Sequence, residues 1–217
     1  MLDVVVINGG RGAGSLIPAL LNQSDLRVTS IVNAYDDGKS TGEIRRFFEM
    51  LGPSDIRKVQ ELMLPQADSD YQTYLRLFQY RFPVNIKREE ALTLIIEFVN
   101  NQREDLVGAI ITANHIKTNL QEILKEFLKC LDAIEKLKEE EFNFSDCSIM
   151  NCIYAGTFLR FSRNLEKAAL FIDRLFRLRG TVIATSNENK HLVAMRENGE
   201  MLYSEAEIVE LSVAVGW

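Results

Sequence analysis

The chain has 217 residues, 47% of them hydrophobic and 26% charged, which is enough apolar material to bury a core in a single domain. Its 31 acidic and 25 basic side chains leave a formal charge of -6, so it lacks the basic surplus that a nucleic-acid partner demands. No run is long enough to span a bilayer, and Met1-Leu2-Asp3 enters an apolar strand with no basic leader, so no membrane is implied and a cytoplasmic location is expected.

Leu2 to Ile7 is a β-branched apolar run ending in glycines, the pattern of a strand buried on both faces. Ser15 to Leu21 has helical spacing, with Pro18 tolerable in a first turn. Leu26 to Val32 is a second strand, and it stops at the polar stretch Asn33 to Gly42. Strand, glycine turn, helix, strand is the opening of a parallel sheet, and it sets the expected fold as α/β and Rossmann-like.

Helical patterns then follow at Glu43–Met50, after Pro53, around Tyr71–Tyr80, across Glu89–Asn100, and from about Lys117 to Glu140. The last carries Leu120, Ile123, Leu124, Phe127, Leu128, Leu131, Ile134 and Leu137 at three- and four-residue steps, an apolar face fit for core packing. Leu106 to Thr112 reads equally as a strand or as a helix start. Ser148–Phe161 and Leu165–Leu178 read as two more helices, with Gly180 as a C-terminal cap. Thr181–Thr185 is a buried-type strand, Asn198-Gly199 marks a hairpin between His191–Arg196 and Met201–Tyr203, and Glu207–Val215 alternates like a final strand. The chain thus reads as one domain over residues 1–217, with flanking helices, a mostly helical insert at about 58–145 and a C-terminal hairpin.

Cys130, Cys147 and Cys152 are odd in number and form no C-x-x-C pair, so reduced, buried thiols are expected rather than a disulfide framework or a zinc site. Chemistry concentrates instead in two loops. Gly9-Gly10-Arg11-Gly12-Ala13-Gly14 follows a strand and precedes a helix, which lets main-chain N–H groups approach a phosphate. Ser15-Leu16 stands where a Walker loop requires Lys-Ser/Thr, and Ser15 also breaks the dinucleotide fingerprint. A tight connection with no ligand is the plain alternative. Asn33 to Gly42 places Asp36, Asp37, Lys39, Ser40 and Thr41 at the end of the second strand, where open α/β sheets bind ligands. There Asp36 and Asp37 could hold Mg²⁺ on a diphosphate or accept a proton, and Lys39 and Ser40 could meet phosphate oxygens. The alternative is a solvated turn with Ser40 or Thr41 capping a helix at Glu43.

Three segments together carry a family resemblance: Gly9-Gly10-Arg11-Gly12, Asp36-Asp37-Gly38-x-Ser40-x-Gly42-x-Ile44-Arg45, and Gly52-Pro53-Ser54-Asp55-Ile56-Arg57. The sequence resembles the 2-phospho-L-lactate transferase and gluconeogenesis-factor superfamily, nearer the gluconeogenesis-factor branch. Ser148 to Cys152 and Val182 to Thr185 extend the likeness. The resemblance implies phosphate contacts from Gly10 and Gly12, nucleotide contacts from Asn151 and a ligand-facing role for Asp36 and Asp37; the residues themselves add Gly9 and Arg11 on the glycine turn as phosphate contacts and Asp37 as the metal position. It implies a nucleotide or nucleotide-sugar ligand such as a UDP-sugar or GDP, with Mg²⁺ as cofactor and a regulatory role in carbon metabolism or cell-envelope synthesis.

One branch is a Mg²⁺-dependent transferase that moves a phospholactyl group to a hydroxyl. It has Asp-x-Asp where this chain has Asp55-Ile56-Arg57, and an arginine there suits a diphosphate better than a metal. Bulk from Arg11, Lys39 and Met150, together with the expectation that the family pattern continues beyond Trp217, supports a third reading: a remnant acting through protein contacts. A homo-oligomer is compatible with this composition.

Overall fold

The computed structural model describes residues 1–191, 193–203 and 207–208, with Arg11 and Lys39 described by their main chain alone. The opening apolar run is strand β1 (Leu2–Asn8), and a 3-10 turn at Arg11–Ala13 leads into helix α1 (Leu16–Leu21). Pro18 is the third residue of that helix, where its missing N–H has no intrahelical partner to lose. Strand β2 (Leu26–Val32) pairs parallel with β1 from Leu2↔Leu26 to Asn8↔Val32.

Helices α2 (Lys39–Phe48), α3 (Ser54–Leu62), α4 (Tyr71–Gln79) and α5 (Arg88–Val99) follow. The ambiguous stretch after Glu104 resolves into a short hairpin, β3 (Asp105–Leu106) with β4 (Ala109–Ile110), turning through the positive-φ pair Val107 and Gly108. Then come the long helix α6 (Asn114–Lys138), α7 (Ile149–Arg160), α8 (Leu165–Leu175) and strand β5 (Thr181–Ala184), which pairs parallel with β2. A small hairpin, β6 (Ala194–Met195) with β7 (Met201–Leu202), turns at Gly199, whose φ of 86° suits glycine.

The sheet order is β1-β2-β5, so both crossovers advance in one direction and the right-handed rule puts their helices on one face. On that face Val28, Ser30, Val32, Val182 and Ala184 are buried beneath helices that include α3 and α8. The other face is open: Val5 is 59% and Ile7 80% exposed, while Ile31 and Ile183 are half-buried. This corrects the expectation that the first strand is buried on both faces. Among the described residues β1 is an edge strand with no layer over its outer side, and a β-branched run reads the same in either setting.

The helical side holds the core. Helix α6 buries Ile116, Leu120, Ile123, Leu124, Phe127 and Leu131, although Leu137 at its end is exposed. Helix α7 is buried continuously from Ile149 to Phe158 between α6 and α8. Phe47, Phe48, Phe127, Phe142 and Phe144 stack edge to face or tilted, each pair adding about 0.5–1.5 kcal/mol beyond area burial.

Three further expectations are revised. Helix α2 begins at Lys39 with Gly38 as N-cap, so Ser40 and Thr41 lie inside it and cap nothing at Glu43. Helix α8 ends at Leu175 with Arg177 in the left-handed region, and Gly180 serves close packing: a Cβ there would stand 2.9 Å from Met63 Sδ and from the Val28 carbonyl oxygen. Glu207 and Ile208 are helical rather than extended, and the remainder of the expected last strand lies outside the described residues, as does Leu192. All three cysteines are free thiols, Cys147 and Cys152 fully buried. Burial pushes the Cys152 thiol up, which keeps it inert.

Candidate functional site

The loops after β1 and β2 leave the carboxyl ends of two neighbouring parallel strands and meet the start of α3. Gly9 and Gly10 lie against that helix: a Cβ on Gly10 would overlap Asp55 Oδ1 and come within 2.9 Å of Lys58 Cδ. Around Gly12 there is open space, Arg11 sits in the 3-10 turn, and Lys39 opens α2. Asp55, in the first turn of α3, pairs with Lys58 at 2.8 Å. One carboxylate therefore already faces the glycine turn, with a lysine beside it.

Two residues further along α3, Arg57 is 4% exposed. Its Nη1 donates to the Phe78 carbonyl at 2.5 Å and its Nε has no partner, while no carboxylate among the described residues forms an ion pair with it. Burial, and after it the nearby Arg81 guanidinium, lowers the Arg57 pKa from its ordinary value. Gly10, Gly14, Arg57, Lys58, Glu61 and Arg81 line a cavity of about 320 Å³. Glu61, on the same cavity wall, favours the charged form through space without forming an ion pair, so burying the guanidinium is still costly, and an anion in that cavity would offset more of the cost.

Arg81 links the starts of α2 and α7. It pairs with Asp146 at 3.2 Å, donates to the Asp146 carbonyl at 2.6 Å and to Ser40 Oγ at 3.4 Å, and bridges by its main chain to Ser148, the N-cap of α7. Thr41, in the first turn of α2, shares a buried hydroxyl hydrogen bond with Ser54 at the start of α3. Asn151, in the first turn of α7, is fully buried with neither side-chain atom partnered, and Ser148 Oγ is likewise orphaned. An unpartnered buried polar group typically costs about 1–3 kcal/mol.

Asp36 and Asp37 are half-buried beside this cluster, and neither lines the cavity. Asp36 Oδ1 accepts from the Gly38 N–H at 3.1 Å, a turn that starts α2. Arg45, 2% exposed, donates to the carbonyls of Tyr35 at 2.8 Å and Lys190 at 2.6 Å, clamping the aspartate loop to the segment after β5. The structure thus gathers Gly9, Gly10, Asp55 and Arg57 on one wall, joins Ser40 to them through Arg81, and leaves Asn151 buried behind. Sequence reasoning passed over Lys58 and Arg81 as site residues. Lys58 is signalled by its i+3 spacing from Asp55, whereas nothing local marks Arg81.

A family model described as 2-phospho-L-lactate transferase CofD matches residues 4–215. The chain belongs to this family. Curated relatives include a gluconeogenesis factor from Listeria monocytogenes, 43% identical over 82 residues that make up 38% of this chain and 24% of that protein. A putative gluconeogenesis factor from Nostoc is 40% identical over 79 residues, 36% of this chain and 16% of its own. Crystal structures of the Bacillus halodurans protein BH3568, a member of the UPF0052 family, share the fold at a TM-score of 0.60 and 19% identity, covering 98% of this chain and 49% of theirs. The chain therefore spans about half the length of its structural neighbour and aligns with a quarter or less of these curated relatives.

Among the described residues no group of three or more His, Cys, Asp and Glu side chains gathers as a ready-made metal cage. Two adjacent carboxylates, Asp36 and Asp37, suit Mg²⁺ in its usual manner, held by one or two carboxylates with the rest of its shell from water and substrate phosphate. No helix among the described residues is long and apolar enough to cross a membrane.

Proposed function

We propose that this chain binds a nucleotide diphosphate or nucleotide-sugar at the carboxyl ends of β1 and β2, with a regulatory rather than catalytic output. Arg57 carries the reading: it is a buried guanidinium with no ion-pair partner among the described residues, it faces a cavity walled by the glycine turn, and its donors are spaced for phosphate oxygens. Lys58 and Arg81 add charge at the same cavity, and the helix start bridged to Arg81 holds the buried, unpartnered side chains of Ser148 and Asn151. Membership of the transferase family and likeness to gluconeogenesis factors support a phosphate-bearing ligand of this class. Mg²⁺ would be held by Asp37, with Asp36 beside it, and would neutralise part of the phosphate charge. The transferase reading is second, favoured by the description of the family model.

Thermal-shift measurements with UDP, a UDP-sugar, GDP and GTP, each with and without Mg²⁺, test this directly. A ligand at 100 times its Kd adds about 2.7 kcal/mol to the folded state, which raises the Tm of a chain of this size by roughly 5–10 °C. No shift with any nucleotide sinks the reading. Asp37→Asn is expected to keep nucleotide binding and lose its Mg²⁺ dependence, and an unchanged metal response relocates the metal. Turnover of a hydroxyl acceptor would promote the transferase reading over the regulatory one.

A further inference from the structure

Behind the candidate site lies a buried polar chain that none of this chemistry uses. Tyr154 of α7 donates its hydroxyl proton to Gln60 Oε1 at 2.5 Å, and Gln60 Nε2, on α3, donates to Asp173 Oδ1 at 2.7 Å and to the Ala169 carbonyl at 3.1 Å. Asp173 Oδ2, on α8, accepts the Val182 N–H of β5 at 2.9 Å. One carboxyl group therefore ties α8, α3, α7 and β5 together. Gln60 and Tyr154 are fully buried and Asp173 is 7% exposed. Gln60 stands one helical turn after Arg57, and Tyr154 one turn after Asn151.

We propose that Asp173, Gln60 and Tyr154 form a proton-operated amide switch joining the four elements beneath the sheet. In the ionised form the hydrogen bonds run from Tyr154 to Gln60 to Asp173, as observed. When Asp173 takes a proton from solvent, its new O–H needs an acceptor, and rotating the Gln60 amide by half a turn provides one. The acid O–H then donates to Gln60 Oε1, and Gln60 Nε2 donates to the Tyr154 hydroxyl oxygen. The two contacts within the relay are kept with their direction reversed, the Ala169 carbonyl and the Tyr154 hydroxyl hydrogen each give up the partner they had, and the carboxyl O–H is the one covalent bond made.

The switch operates in the neutral range. Burial is the main cause that raises the Asp173 pKa to about 7, against opposing hydrogen bonds from Val182 and Gln60 and the charge of Arg174. The other ionisable groups bearing on the relay are Tyr154, pushed well up by burial, and Arg57, whose charge acts on Tyr154. An acid whose folded pKa lies above its unfolded value of 3.8 is bound more tightly by the proton in the folded state. The contribution of Asp173 to stability is therefore fully present below pH 4, declines as pH rises toward 7, and is lost above it.

The test pairs a titration with a substitution. In the wild-type chain, carboxyl ¹³C NMR of Asp173 should show a midpoint near pH 7, with the Gln60 side-chain amide and Tyr154 resonances moving at the same midpoint. Asp173→Asn, whose amide N–H can donate to Gln60 as the acid does, should flatten the Tm decline that the wild type shows between pH 5 and pH 8. A midpoint below pH 5, or Gln60 signals that ignore the Asp173 titration, overturns the switch. Because the NMR titration uses the wild-type chain, it decides the question even where Asp173→Asn folds poorly.

Discussion

Arg57→Met is expected to weaken binding of any phosphate-bearing ligand by roughly 30- to 1000-fold, the equivalent of about 2–4 kcal/mol for one side of a buried charge-assisted contact. The same change should leave the ligand-free fold nearly as stable as before. Removing a guanidinium that has no ion-pair partner among the described residues relieves its desolvation, whereas the Phe78 carbonyl loses its donor at a cost of about 1–3 kcal/mol, and the two effects oppose each other. Isothermal titration with the nucleotide that gives the largest thermal shift measures the first effect, and the Tm without ligand measures the second. A large drop in Tm with affinity unchanged would make Arg57 a strut that holds the turn at Phe78, not a ligand contact.

Gly52→Ala should lower the Tm by roughly 3–10 °C, since overpacking costs about 1–3 kcal/mol and each kcal/mol moves a chain of this length by some 2–4 °C. The Gly52 N–H donates to the Ala34 carbonyl at 2.9 Å, so the two segments already touch. A Cβ would overlap the Asp36 carbonyl oxygen and lie 2.9 Å from Thr41 Cγ2, whose own hydroxyl is tied to Ser54. Relief requires the aspartate loop to back away from α3, so any Mg²⁺ response should weaken along with stability. Gly12→Ala is the matched control, because a Cβ there meets nothing within 4 Å. Equal melting temperatures for the two variants would show that the loop yields freely.

Much of the frame was legible from pattern. Val4 to Ile7 and Leu26 to Val32 carry enough β-branched residues to be strands in almost any context, and the three-and-four spacing from Leu120 to Leu131 leaves little besides a core-facing helix. What escaped depends on partners distant along the chain. Val5 and Ile7 look like core residues, yet among the described residues no layer covers them. Ser40 and Thr41 have the chemistry of helix caps, yet their hydroxyls are engaged by Arg81 and Ser54, from other segments. Gly180 resembles a helix terminator because local sequence carries no trace of Met63 lying against it.

The site divides in the same way. The glycine turn, the aspartate loop and the Asp55-Ile56-Arg57 stretch were each visible as short motifs, and the fold does gather them at one end of the sheet. That Arg57 is buried with no ion-pair partner among the described residues was not readable, since it is a property of the packed chain. Arg81 was hidden for the converse reason: it reaches the cluster from the turn after α4, and its partner Asp146 lies 65 positions further on.

The open outer face of β1 also governs how a bound phosphate would be solvated. With Val5 and Ile7 exposed among the described residues, a ligand seated at the glycine turn would keep part of its hydration shell. Attraction to Arg57, Lys58 and Arg81 then acts partly through solvent, where ions at physiological strength screen charge beyond about 8 Å. Binding of such a ligand should therefore weaken as salt rises, which affinities measured at two ionic strengths would check.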